Sequence, residues 1–164
     1  MAYSAATGFR LRGSLYGIEP AGGVDFIIAN SATIKVGDAV RVNTAGFLVR
    51  AAAGEPVGGV VVALKDLNGL NVFTPQATGL TGSTLTEDDQ IAVSSTNQSD
   101  ATRNVKASIM LDPAGVLLFY NDADGDLAAT NDFQLFDNAA AGSQITQSTA
   151  SDTSGQWQLV KRDP

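Results

Sequence analysis

The chain has 164 residues, ten basic and seventeen acidic side chains, and neither cysteine nor histidine. Without thiol or imidazole there is no disulfide framework, no cysteine nucleophile, no Ser-His-Asp triad and no zinc held by those ligands. A net charge of −7 disfavours nucleic acid and anionic membrane surfaces, and no apolar run approaches the length of a membrane span.

Leu, Ile, Val and Phe supply 42 residues, enough for one domain with a real core. The N-terminal MAYSAATGFRLR has no basic stretch followed by an apolar one, so no secretory leader is predicted. In residues 1–18 the only charged side chains are Arg10 and Arg12, which leaves eight basic against seventeen acidic groups in 19–164, a net −9. Segment 9–17 alternates by side-chain type. In an extended chain Phe9 and Leu11 face one way and Arg10 and Arg12 the other. Residues 1–18 therefore read either as an edge strand or as an extended basic arm lying across a partner, with 19–164 as a single body.

Further along, short β-branched runs closed by Gly, Asn, Asp or Pro predict strands at 24–29, 39–42, 47–50, 57–64, 71–74, 90–95, 104–111, 115–120, 133–136, 143–148 and 156–161. Asn43-Thr44-Ala45-Gly46 predicts a hairpin between the second and third runs. Asn68-Gly69 and Asp112-Pro113-Ala114-Gly115 predict two more turns, the latter joining 104–111 to 115–120 as a hairpin. Residues 75–86 and 96–103 read as polar surface loops, and Thr86 followed by three acids as one helical turn. Nowhere do apolar residues keep a helical period for three turns. The expected fold is all-β: a single compact barrel or sandwich of about ten short strands.

The search for chemistry finds little. Phosphate-binding glycine loops and GxSxG are absent from the sequence. In Asp152-Thr153-Ser154-Gly155 an inserted serine breaks the Asp-Thr-Gly turn of aspartic proteases, and Asn97-Gln98-Ser99 is a formal glycosylation sequon in a polar loop. Asp122, Asp124 and Asp126, around Gly125, form a weak calcium candidate, because calcium takes six to eight oxygen ligands. Against the EF-hand pattern, Leu127 stands at the sixth loop position and Phe133 at the twelfth, so an acidic solubilising turn is the simpler reading and no metal or cofactor is assigned. Carboxylate-based hydrolysis by two of Asp122, Asp124, Asp126 and Asp132 fits poorly, since acids clustered at one turn do not flank a substrate. Trp157, Phe119, Tyr120, Phe133 and Phe136 read as core residues, and no basic patch interleaves with them.

The order of the landmarks carries more than any one of them. Gly8-Phe9-Arg10 and Gly13-Ser14-Leu15-Tyr16-Gly17 are followed by Val36-Gly37-Asp38-Ala39-Val40 and Glu55-Pro56-Val57-Gly58-Gly59-Val60. Then come Asn71-Val72-Phe73, Pro75, a strand pair around Asp112-Pro113, and a Ser/Thr-rich stretch closing on Gln156-Trp157-Gln158-Leu159-Val160. This layout resembles the small virion proteins of tailed bacteriophages that decorate or cement the capsid shell, with Leu11-Arg12 departing from the more usual Arg-Pro-Val. The resemblance implies a β-barrel-like body that carries the Gly-Asp and Pro-Val-Gly elements. It also implies a structural, non-enzymatic role on the capsid outer surface after assembly in the host cytoplasm. The implied partners are the major capsid protein and further copies of the chain, as a homo-oligomer and most often a trimer. On this reading Phe9, Arg10, Leu11, Arg12 and Tyr16 contact the partner. The other class the sequence allows is a carbohydrate- or host-surface-binding β module, such as a fibre knob.

Overall fold

The computed structural model describes residues 9–14, 23–65, 80–81, 91–93, 97, 105–111, 117–120, 134–138, 145 and 157–158, and every regular element among them is a strand. These are β1 (Arg10–Ser14), β2 (Val24–Ile27), β3 (Thr33–Ile34), β4 (Ala39–Val42), β5 (Leu48–Arg50) and β6 (Gly59–Lys65), then β7 (Leu80–Thr81), β8 (Ile91–Val93), β9 (Lys106–Leu111), β10 (Leu117–Tyr120), β11 (Leu135–Phe136) and β12 (Trp157–Gln158). The principal sheet has five antiparallel strands in the order β2-β9-β6-β4-β5. A three-stranded sheet runs β3-β8-β7, and β1-β10 and β11-β12 form two-stranded ribbons.

The predicted hairpin at 43–46 forms between β4 and β5. The Asn43 side-chain carbonyl accepts from the amides of Ala45 and Phe47, each at 3.0 Å, and Gly46 closes the turn at φ 88°. Residues 106–111 and 117–120 are not a hairpin: β9 pairs with β2 and β6, whereas β10 pairs with β1. Asp112-Pro113-Ala114-Gly115 itself lies outside the described residues. β7 falls in a stretch that reads as loop, and β3 lies outside every predicted run, because two-residue strands carry no periodicity to read. The predicted strand at 71–74, the turn at Asn68-Gly69 and the helical turn after Thr86 lie outside the described residues.

Two apolar clusters sit on opposite faces of the principal sheet. The first joins Ile28, Ile34, Val40, Leu48, Val61, Leu64, Val105, Ala107 and Ile109. The second gathers Phe9, Ala39, Val60, Phe136 and Ile145, with Phe119 and Trp157 packed against it. β6 belongs to both, which is why 57–64 reads as an unbroken apolar run and not as an alternating one. One irregularity lets it do so. The β6–β9 register shifts between Val61 and Ala63, so that Val62 is an extra residue and Leu64 joins Val61 on the first face while Lys65 turns to the other. Without that bulge the two-residue period would aim Lys65 into the core beside Val61.

The two outer strands of the sheet also meet. Ile28, just past β2, makes a parallel bridge to Leu48 of β5, and the Ala29 amide donates to the Leu48 carbonyl at 2.9 Å. Buried Asn97 secures this junction. Its amide nitrogen donates to the carbonyls of Ile28 (2.6 Å) and Val105 (3.3 Å), and its oxygen accepts from the Val105 amide at 2.8 Å.

Gly59 is required where β6 begins alongside β9, because a Cβ there would overlap the Met110 carbonyl oxygen. Gly59→Ala is expected to destabilise the fold by about 1–3 kcal/mol in urea unfolding. The control is Gly58→Ala, whose new Cβ meets only ordinary contacts at 3.5 Å or more, and it should change stability by less than about 1 kcal/mol. Equal effects would contradict the close approach.

Candidate interaction surface

The segment singled out by the sequence is built onto the second cluster. Phe9 is 4% exposed and stacks on Trp157 with ring centroids 4.2 Å apart, while Phe119 meets the same indole edge-on at 5.9 Å. The Trp157 indole N–H donates to the side-chain Oδ1 of buried Asn138 at 2.6 Å, so the single tryptophan is engaged within the chain. Phe9 thus acts as an anchor. From it β1 runs antiparallel to β10, pairing Arg10 with Tyr120, Leu11 with Phe119, Gly13 with Leu118 and Ser14 with Leu117. Arg12 is the extra residue of a bulge, which interrupts the alternation expected along this strand. Leu11 is half-buried. Tyr16 and the acidic residues Asp122, Asp124, Asp126 and Asp132 lie outside the described residues.

The anchor is tied to the principal sheet through the Gly37-Asp38 turn. The Phe9 amide donates to the Gly37 carbonyl at 2.7 Å, the Gly37 amide to Val61 at 2.8 Å and the Val61 amide to the Asp38 carbonyl at 3.0 Å. Gly37 adopts φ 89°, which only glycine enters at low cost. The Asp38 carboxylate is fully buried. Its Oδ2 accepts from the Lys35 amide and from Arg50 Nε, both at 2.9 Å, and Arg50 Nη2 lies 2.8 Å from the same oxygen. Oδ1 accepts no hydrogen bond. Burial pushes the Asp38 carboxyl above the ordinary aspartate range, and the Arg50 charge opposes that shift without cancelling it. The pair accordingly fixes geometry more than it adds net stability.

A second surface emerges from register. Val24, Val42 and Leu111 are 47%, 41% and 41% exposed. Leu111 is level with Gly59, which is level with Val40, two residues before Val42 on β4. Val24 is level with Ile109, two residues before Leu111 on β9. Alternation puts all three on the face that carries Phe26, Val40 and Ile109, at the end of the sheet where β6 begins. They form an apolar rim below the first cluster. Beside Val42 an open depression of about 490 Å³ is lined by Arg41, Val42, Glu55, Pro56, Val57 and Gly58. Its wall is set by the Arg41–Glu55 pair (2.9 and 2.6 Å), with Glu55 also accepting from the Ala52 amide at 2.9 Å. Nothing in the local sequence marks this rim, because each valine or leucine alone reads as a core residue. Only the register shows that the core ends before them.

Asp38→Ala removes the acceptor for the Lys35 amide and leaves Arg50 unpaired, and is expected to cost about 2–3 kcal/mol in chemical unfolding. Asp38→Asn tests the titration. A carboxyl raised on folding contributes stability that is fully present below its unfolded value, near 3.8, and is lost as pH rises through the folded value. The difference in unfolding free energy should therefore move in favour of the wild type, relative to Asp38→Asn, as pH falls from neutral toward that value. A difference that stays flat, or moves the other way, would contradict the burial account.

No protein-family model matches the chain, and no curated protein or solved structure matches it significantly.

Proposed function

We propose that the chain is a non-enzymatic structural protein of a tailed-phage capsid, which decorates and cements the shell by bridging neighbouring major capsid proteins. Its body is a small barrel, closed where Ile28 meets Leu48, with the β1-β10 and β11-β12 ribbons packed on its outside. It acts on the outer surface of the head as a homo-oligomer, with a trimer favoured by the resemblance, and needs no cofactor. Mechanical reinforcement requires a stiff body and an adhesive edge. Many weak contacts, repeated by symmetry, then sum to strong attachment.

The observation that carries this reading is the apolar rim of Val24, Val42 and Leu111, three large side chains held in water at one end of an otherwise well-buried sheet. Apolar side chains clustered on a rigid edge favour contact with another protein. Polar groups elsewhere in the body support the same view. Asp38–Arg50, Arg41–Glu55, Asn97 and Asn138 all hold backbone or one another in place. In this account Phe9 fixes the position of β1, and Leu11 and the Arg10 and Arg12 segment extend the contact region.

The test is a capsid-binding and heat-stability assay with purified shells lacking the protein. Wild-type chain should bind and raise the temperature at which shells rupture. Val42→Asp and Leu111→Asp should keep their own unfolding free energy within about 1 kcal/mol yet bind shells at least about tenfold more weakly. Absence of shell binding by the wild type would overturn the proposal, and binding to glycans or bacterial cells in its place would favour the host-surface module.

A further inference from the structure

On the outer face of the principal sheet, away from the apolar rim, Lys65 of β6 and Lys106 of β9 are direct cross-strand partners. Opposed residues of an antiparallel pair share a face, and like charges so placed repel. Among the described residues one carboxylate is at hand. Asp25 of β2 accepts from Lys65 Nζ at 2.9 and 3.0 Å and from the Ser108 hydroxyl. Those bonds, the Ser108 one foremost, hold its carboxyl below the ordinary range. Asp25 is therefore hydrogen-bonded to Lys65 and Ser108, and the Lys106 charge acts on it only through space. Lys106 makes no ion pair among the described residues and is half-exposed. The group of Lys65, Lys106 and Asp25 carries a net positive charge, within a chain whose total is −7.

The bulge at Val62 sharpens the point. It turns Lys65 out of the core and brings it level with Lys106. The fold thus places two like charges opposite each other on short, paired strands, where solvent-facing threonine or glutamate would be locally better. Departures of this kind from local consistency concentrate at functional sites.

We propose that this face is a self-association surface, on which Lys106, beside the Lys65–Asp25 pair, takes a carboxylate from a second copy of the chain. The acidic body supplies the complementary partner: residues 19–164 carry seventeen acids against eight bases. The inference deepens the self-association part of the reading above and rests on it. It also assigns different jobs to the two ends of the sheet. Charge recognition between copies lies near the start of β9, and apolar contact with the shell near its end.

The experiment is sedimentation velocity of the full chain, without shells, at about 50 mM and about 500 mM salt, for wild type, Lys106→Gln and Lys106→Glu, with thermal unfolding in parallel. At low salt the wild type should associate, and high salt should weaken the association. Both variants should reduce the association constant about tenfold or more. Lys106→Gln should at the same time leave the unfolding temperature nearly unchanged, because relief of the repulsion with Lys65 offsets the lost through-space attraction to Asp25. A lysine with a merely structural role would instead lower it. A wild type that stays monomeric at low salt would overturn the inference together with self-association. An oligomer indifferent to salt and to both variants would overturn this surface alone. Shell binding is measured separately and stands or falls on its own.

Discussion

Burial of β6 on both faces is the constraint on which the rest of the structure depends. A strand with Val60 on one side and Val61 and Leu64 on the other cannot lie at a solvated surface, so the chain must build a cluster on each side of it. On one side the five-stranded sheet brings its own outer strands together at Ile28 and Leu48. On the other, Phe9 and Trp157 meet across a long stretch of sequence. Gly59 and the Val62 bulge are consequences of the same demand. The first admits the Met110 backbone at close range, and the second keeps Lys65 out of the core.

Charged and polar groups inside this frame serve position more than stability. Asp38 lies at the junction of the two clusters, where its turn binds β6 and receives the amide of Phe9. Ionising a fully buried carboxylate is costly, and one arginine does not fully compensate. What the pair provides is a single arrangement of the turn, and through it a fixed attachment for β1. Asn97 and Asn138 act similarly with neutral groups, satisfying backbone carbonyls and the Trp157 indole. A body fixed in this way holds its edges in one arrangement, as the proposed reinforcing role requires.

Much of the strand content was legible in the sequence. The runs at 39–42, 47–50, 57–64 and 104–111 are β-branched and bounded by turn residues, and Asn43 to Gly46 announce their hairpin. Pairing was less legible. Asp112-Pro113-Ala114-Gly115 has the chemistry of a hairpin turn, yet the strands around it join different sheets, because topology is decided by which apolar faces find cover. The candidate surfaces were the least legible. Alternation along Phe9 to Arg12 ignored the bulge at Arg12, and it gave no sign that Phe9 would lie under Trp157. Neither the apolar rim nor the opposition of Lys65 and Lys106 has a local signature. Both are products of register between strands that are not neighbours in sequence.

In the proposed role the chain presents the rim of Val24, Val42 and Leu111 to a capsid. Hydrogen exchange of the chain free and bound to purified shells tests it most directly. Backbone amides at the start of β2, the end of β4 and the end of β9 should gain protection on binding, while those around Asn97, already buried, should not change. Binding that leaves these three strand ends unprotected, or protection confined to another face, would contradict the account.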